Sequence, residues 1–220
     1  MENRLSLTIA CSSIMASLAA LLALLPLSFS YPIIPYLKFD IAEIPVVLAF
    51  FLLGPEAGLI SSIVYWVILL LVGSYTPLGP TMKFIAVISM VIGLWLGFRF
   101  LKNPRWGLLL GSCIGCMLRV LTMSIFNYLI LVFLFPEFLE VAAASISMVL
   151  GLKFSGESMT LILVMIFTAL FNVLHTVLSI TPAYLLVRSI AGIGAKNPRI
   201  SGIWYARMVR AASRQAPRRS

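Results

Sequence analysis

Polar side chains recur at helical spacing inside two of the most apolar stretches of the chain. In the stretch that begins at residue 159, one helix face, at about 100° per residue, carries Thr168, Asn172, His175 and Ser179. In the stretch that begins at residue 107, a second stripe contains Ser112, Cys116, Arg119, Met123 and Asn127. Hydrocarbon cannot hydrogen-bond polar groups, so such groups usually face a cavity or one another. The two stripes therefore predict a pocket between two helices.

The chemistry of this predicted pocket is that of amides. Asparagine offers two donors and an acceptor, so Asn127 and Asn172 suit a ligand with imide-like edges. They do not suit a proton relay, which needs chains of Asp, Glu and His, and we expect no acid within the core of any membrane span. The alternative is that the two amides simply bond helices together, and periodicity leaves both interpretations open.

Motifs for catalysis or metal binding do not occur in the sequence. His175 is the single histidine, and a lone intramembrane histidine is more often a packing residue than a metal ligand. The pair Cys113 and Cys116 lies in an apolar stretch, which favours packing. The sequence has no phosphate-binding loop and no serine-hydrolase or zinc-protease motif. We therefore expect no catalytic residue, no metal and no cofactor.

Composition places these stripes in a membrane. Of the 220 residues, 61% are hydrophobic and 10% are charged, and the mean hydropathy is +1.09. A soluble domain is about half apolar and a quarter charged, which argues against a soluble enzyme, and disordered chains are polar. Since one span needs roughly 20 apolar residues, the length allows about six spans.

Six apolar runs support an all-α integral membrane protein with six transmembrane helices. They cover residues 5–27, 41–53, 59–72, 84–98, 107–135 and 159–187. The connections between them are a loop with two prolines at 30–40, a turn at 54–58, a Gly/Pro loop at 73–80, a basic loop at 99–105 and an acidic connection at 136–157. The acidic connection is long enough for a short helix at the membrane interface.

The distribution of basic residues predicts that both termini are cytoplasmic. With the N-terminus inside, the inner segments hold twelve basic residues, and the outer segments hold three, namely Lys38, Lys83 and Lys153. This is the asymmetry of the positive-inside rule. We expect residues 1–190 to form the membrane domain and residues 191–220 a basic cytoplasmic tail. Contact of that tail with membrane lipid is favoured over nucleic acid, because it has few aromatic residues between its basic ones.

Three segments resemble the substrate-binding S components of energy-coupling factor (ECF) transporters, most closely the riboflavin-specific type. Residues 36–45, Tyr-Leu-Lys-Phe-Asp-Ile-Ala-Glu-Ile-Pro, followed by Gly-Pro-x-Ala-Gly at 54–58, resemble the start of these proteins. Residues 119–128 resemble their fifth-helix motif. Residues 171–175 resemble their sixth-helix Phe-Asn-x-x-Lys. The similarity extends from about the first helix to residue 187.

The resemblance implies that the chain is the substrate-binding subunit of an ATP-driven importer in a prokaryotic cell membrane. It would capture riboflavin or a related flavin from outside, and a transmembrane coupling protein and a pair of ATPases would be its partners. It implies six helices, a lid from the first outer loop and a vitamin pocket near the outer side. In that pocket Asn127 and Asn172 would hydrogen-bond the flavin, and Asp40 would shape the loop beside it. The full set of predicted substrate-binding residues is Phe39, Asp40, Lys83, Asn127, Thr168, Asn172 and His175.

Small residues on the first helix have two interpretations. Ser12, Ala16 and Ala20 are spaced at i, i+4 and i+8, so helices can approach closely there. Spacing alone favours internal packing and partner docking equally. The resemblance favours docking of the coupling protein through Ala16 and Ala20.

Two departures from the family pattern leave the ligand open. His175 stands where the family has a lysine, and Lys83 replaces an amide at the start of the fourth helix. The second change compensates for the first, or the two together mark another ligand, such as pantothenate, a queuosine precursor or thiamine. A cation such as thiamine fits poorly beside Lys83. A small membrane protein with no transport role is the alternative from another class.

Overall fold

The computed structural model describes residues 2–72, 77–101, 103–151, 157–194 and 203–215. Its helices are α1 (Glu2–Leu24), α2 (Ile44–Leu53), α3 (Pro55–Val72), α4 (Leu78–Phe100), α5 (Pro104–Leu129), α6 (Glu137–Leu150), α7 (Glu157–Gly194) and α8 (Trp204–Gln215). A π-helical turn, Ile130–Leu134, continues α5. The strands β1 (Phe29–Tyr31) and β2 (Ile34–Phe39) form a hairpin.

Five described segments are long and apolar enough to cross a membrane. They are Leu5–Leu24, Pro55–Val72, Leu78–Phe100, Pro104–Leu134 and Ser158–Ala191. The predicted second span is instead the short helix α2, whose 10 residues are about 15 Å long. Hydrocarbon is about 30 Å thick, so α2 alone covers half of it.

Residues 29–39, which overlap the predicted loop at 30–40, form the only strands in the described part of the chain. Here β1 and β2 pair in antiparallel register, with Phe29 opposite Phe39 and Ser30 opposite Lys38. Two prolines in this segment prevent a continuous helix. The hairpin brings Phe39 and Asp40 to the start of α2.

Helix α2 lies in the middle of the bundle. Val46, Val47, Phe50 and Phe51 are fully buried, and α2 packs against α1, α3 and α7. A helix that is apolar on all sides is stable only when it is surrounded. The shortness of α2 is therefore compatible with its position, since its first turn lies within the protein and not at a membrane surface.

Helices α4 and α5 approach one another through glycines. A Cβ atom added at Gly93 would lie 2.2 Å from the Cα of Gly115, and one at Gly97 would lie 2.1 Å from the main-chain nitrogen of Gly111. Contacts this short leave no room for any side chain. Glycines spaced four apart allow such close backbone packing between membrane helices.

The small residues of α1 face the interior of the chain. Ala16 is fully buried and Ala20 is 3% exposed, and the hydroxyl of Ser61 on α3 donates to the carbonyl of Ser12 at 3.0 Å. This is the internal packing that spacing alone allowed. The docking surface predicted at Ala16 and Ala20 is therefore not an accessible face in this structure.

The predicted tail contains helix α8, which packs on the bundle. The ring centroid of Trp204 lies 5.4 Å from that of Phe50 and 5.2 Å from that of Phe98, and the ring centroid of Tyr205 lies 5.8 Å from that of Tyr184.

The described part of the connection at 136–157 forms α6, which confirms a helix there. The remaining parts of these predictions lie outside the described residues, namely 73–76 of the Gly/Pro loop, Lys102, Lys153 and tail residues 195–202 and 216–220.

Candidate ligand-binding cavity

A cavity of about 380 Å³ lies between the end of β2, the first turns of α4, the last turns of α5 and the middle of α7. This volume is within the usual range for small-molecule sites, roughly 300–1,000 Å³. Its polar and charged lining residues are Tyr36, Lys38, Asp40, Glu43, Lys83, Arg119, Asn127, Asn172 and His175. Its apolar walls include Leu37, Met82, Ala86, Met123, Leu131, Phe138 and Phe171.

A buried ion pair forms the floor of the cavity. The two terminal nitrogens of Arg119 donate to the two carboxylate oxygens of Glu43 at 2.6 and 2.9 Å, and the side chains are 2% and 1% exposed. The hydroxyl of Ser179 donates to the same carboxylate at 2.7 Å. Arg119 Nε donates to Asn172 Oδ1 at 3.2 Å. Hydrogen bonds thus satisfy both buried charges, which a buried pair requires.

The expectation that no acid lies in the core of a span did not include a buried acid outside the spans, and Glu43 is one, since it is 1% exposed and precedes the short helix α2. The sequence places this residue at the start of the run 41–53, where a full-length span would put it at the membrane surface. Because α2 is short and enclosed, its start lies in the protein interior. A signal for this pair existed in the sequence. Arg119 is too deep to be left uncompensated, and the run after Glu43 is too short to span.

The two predicted amides both line the cavity. Asn127 Nδ2 donates to the carbonyl of Met123 at 2.7 Å, and Asn172 Nδ2 donates to the carbonyl of Thr168 at 2.9 Å. Each amide is thereby fixed on its own helix. Asn172 also accepts from Arg119 on α5, so it links two helices, and it lines the cavity as well. Thr168 is 1% exposed and lies outside the cavity lining, which it supports through its main chain.

The two departures from the family pattern meet at Asp40. Its side chain forms an ion pair with Lys83 and accepts from the main-chain nitrogen of Ala42 at 2.9 Å. Its main-chain oxygen lies 3.3 Å from His175 Nε2. One residue at the end of the hairpin is therefore held by both α4 and α7. Lys83 does not present a free cation to the cavity, because Asp40 neutralises it.

Aromatic rings form the wall beside the hairpin. Phe39 packs against Phe171 with 4.5 Å between ring centroids and against His175 with 5.7 Å. Of these rings, Phe171 and His175 line the cavity, whereas Phe39 supports them from behind. Tyr36 also lines the cavity and packs 5.4 Å from Phe138. Burial raises the pKa of the Tyr36 hydroxyl to about 12, so it keeps its proton at neutral pH.

The charges around the cavity nearly cancel. Arg119 pairs with Glu43 and Lys83 pairs with Asp40, while Lys38 is exposed at the hairpin. Among the described residues, no group of three or more His, Cys, Asp and Glu could hold a metal ion. The arrangement suits reversible binding of an uncharged molecule that has both apolar and hydrogen-bonding parts.

Comparisons with known proteins agree with this architecture. The family model "ECF transporter, substrate-specific component" matches residues 7–187. The riboflavin transporter RibU of Staphylococcus aureus (strain TCH60) is 28% identical over 142 residues, which cover 64% of this chain and 72% of that protein. The riboflavin transporter FmnP of Bacillus subtilis (strain 168) is 30% identical over 140 residues, with 60% and 70% coverage.

A solved structure has the same fold. It is the S component of a bacterial ECF transporter, with a TM-score of 0.66 and 22% sequence identity over 88% of this chain and 98% of that one. The family match spans most of the chain, including the hairpin and every helix that lines the cavity. The chain therefore belongs to the family of substrate-specific components of ECF transporters, which are multi-pass proteins of the bacterial cell membrane.

Proposed function

We propose that this chain binds riboflavin on the outer side of the membrane and presents it for import. The observation that carries the proposal is the cavity, in which Asn127 and Asn172 lie beside aromatic and apolar walls and four of the five charged lining residues form ion pairs. Riboflavin has a flat ring system, and one edge of it carries carbonyl and N–H groups. An asparagine amide can donate to such a carbonyl and accept from such an N–H. The two similar riboflavin transporters support the same ligand.

The proposed topology has six crossings with both termini in the cytoplasm. Arg99 lies in the last turn of α4 and Arg105 in the first turn of α5, at the helix ends remote from Lys83 and Asn127 of the cavity. The positive-inside rule then places the cavity outside. Helix α2 supplies the inner part of the second crossing, from Glu43 at the cavity floor towards the cytoplasmic end, and the hairpin before it lies on the outer side.

The proposed partners supply the energy for transport. The sequence has no phosphate-binding loop, so ATP hydrolysis belongs to a pair of ATPases, joined to this chain by a transmembrane coupling protein. The substrate-specific role of the family supports this division of labour. Residues 1–190 form the membrane domain in this proposal, and the basic residues beyond it lie at the cytoplasmic surface.

The test is a riboflavin titration of the purified protein in detergent, followed by flavin and tryptophan fluorescence. We expect saturable binding, and we expect Asn172→Leu and Asn127→Leu to weaken it while the thermal unfolding profile stays cooperative. Ser61→Ala is the matched control, because it removes a buried interhelical hydrogen bond away from the cavity. A folded protein that does not bind riboflavin would refute the flavin ligand, and competition between pantothenate and thiamine would then identify the vitamin class.

A further inference from the structure

We propose that Glu43 and Arg119 are positioning residues for the ligand, because they fix the amide of Asn172 at the cavity wall. This inference rests on the proposed function, in that Asn172 is taken as a ligand-binding group. The pair is more than a structural bridge in this view, since one of its hydrogen bonds ends on that amide.

The geometry determines how the amide must be oriented. Arg119 Nε can only donate, and the main-chain oxygen of Thr168 can only accept. These two groups lie 3.2 Å from Asn172 Oδ1 and 2.9 Å from Asn172 Nδ2. The amide oxygen is therefore held towards Arg119 and the nitrogen towards Thr168. The second N–H of Asn172 is the donor that remains for a ligand.

Arg119 can hold the amide because Glu43 holds Arg119. Both terminal nitrogens of the guanidinium are bound to the carboxylate, which leaves Nε pointing along a fixed direction, as the planar fork of arginine dictates. Ser179 fixes the carboxylate from the other side. The chain of contacts runs from α2 through α5 to α7, and the 2% and 1% exposure of its two charges excludes water from it.

A double replacement separates positioning from stability. Either Glu43→Met or Arg119→Met alone leaves a buried charge without its partner and should destabilise the protein strongly. The double variant Glu43→Met/Arg119→Met removes both charges, and replacing a whole buried pair by apolar residues of similar volume is often neutral for stability. We expect the double variant to unfold near the wild-type temperature but to bind riboflavin about tenfold more weakly, because Asn172 has lost the donor on its oxygen.

A second variant covers the case in which the double variant does not fold. Arg119→Lys keeps a positive charge beside Glu43, but its single ammonium cannot bind both oxygens of Glu43 and also reach Asn172. We expect it to keep most of the stability and to lose affinity by a similar factor. Wild-type affinity in either folded variant would overturn the positioning role and leave the flavin ligand intact. Ser61→Ala is again the control, with unchanged affinity.

A measurement without ligand separates this inference from the proposed function. The side-chain amide signal of Asn172 in ¹⁵N-labelled protein can be assigned by its loss in Asn172→Asp. We expect that signal to shift and broaden in the double variant and in Arg119→Lys, and to stay in place in Ser61→Ala. An unchanged signal would refute the positioning role whether or not riboflavin binds. A wild-type protein that does not bind riboflavin would refute only the flavin ligand.

Discussion

The glycine contact between α4 and α5 gives a quantitative prediction about stability. The Cβ atom of a residue at 97 would lie 2.1 Å from the main-chain nitrogen of Gly111 and 2.2 Å from its Cα. Ordinary contacts begin at 3.4 Å, so Gly97→Ala must separate the two backbones locally by about 1.3 Å, the difference between 3.4 and 2.1 Å. Backbone atoms cannot move aside as a flexible side chain can.

The expected cost follows from two opposing effects. Overpacking a well-packed contact costs about 1–3 kcal/mol, whereas replacing a helical glycine by alanine returns roughly 0.8–1 kcal/mol of helix propensity. We therefore expect Gly97→Ala to be less stable than the wild type by up to about 2 kcal/mol. We expect a smaller displacement at the cavity, because the same two helices carry Lys83 and Asn127 at their far ends. Riboflavin affinity should fall together with stability.

The assay is thermal unfolding of the detergent-solubilised protein, followed by intrinsic fluorescence. Gly79→Ala is the matched control for stability, because it lies on the same helix and its added Cβ meets nothing within 4 Å. The control should be as stable as the wild type or slightly more stable. A Gly97→Ala protein as stable as Gly79→Ala would refute the reasoning, since the close approach of the two backbones could not then exist.

Three further predictions concern the tail, the hairpin and the cavity wall. Trp204→Ala should loosen α8, because the ring packs between two phenylalanines, and trypsin should then cleave the tail faster; unchanged protection would contradict this packing. Lys83→Met should lower both stability and riboflavin affinity, because it leaves the Asp40 carboxylate unpaired. Adding Asp40→Asn to Lys83→Met should recover stability, because it removes that charge. A double variant no more stable than Lys83→Met would argue against the ion pair. Tyr36 should ionise only as the pH approaches about 12. The tyrosinate absorbance gained between neutral pH and the ordinary pKa of 10.0 should therefore be the same in wild type and Tyr36→Phe; a larger gain in the wild type would show that the hydroxyl is not buried.

The long helices could be predicted from the sequence because membrane spans leave a direct signal. A run of about 20 apolar residues is needed to cross hydrocarbon, and the runs 5–27, 107–135 and 159–187 have that length. The runs 59–72 and 84–98 are shorter, and their helices reach spanning length because they begin earlier, at Pro55 and Leu78. The run at 41–53 carried a weaker signal, and its outcome depended on tertiary structure. Glu43 at its start is neutralised by a residue 76 positions away, and no local pattern encodes that distance.

The candidate site was predicted in part for the same reason. Helical periodicity brings together residues on one face of one helix, so Asn172 and His175 were found together on α7. Periodicity says nothing about which face of another helix lies opposite. The close packing of α4 against α5 could have been predicted, since the glycines of the two helices are spaced four apart. Reading that spacing would have predicted the close pair of helices that carries Lys83 and Asn127.

The two ion pairs explain why a cavity with five charged lining residues can still suit an uncharged ligand. A charge in a low-dielectric interior is stable only when a partner and hydrogen bonds compensate it, and each pair here joins elements distant in sequence. Arg119 and Glu43 close the floor, while Lys83 and Asp40 join the hairpin to α4. The floor pair is nearly inaccessible, whereas the side chains of the hairpin pair are 20% and 11% exposed. Water can therefore reach the hairpin pair more easily than the floor pair. Since water can solvate separated charges, separating Lys83 from Asp40 costs less free energy than separating Arg119 from Glu43.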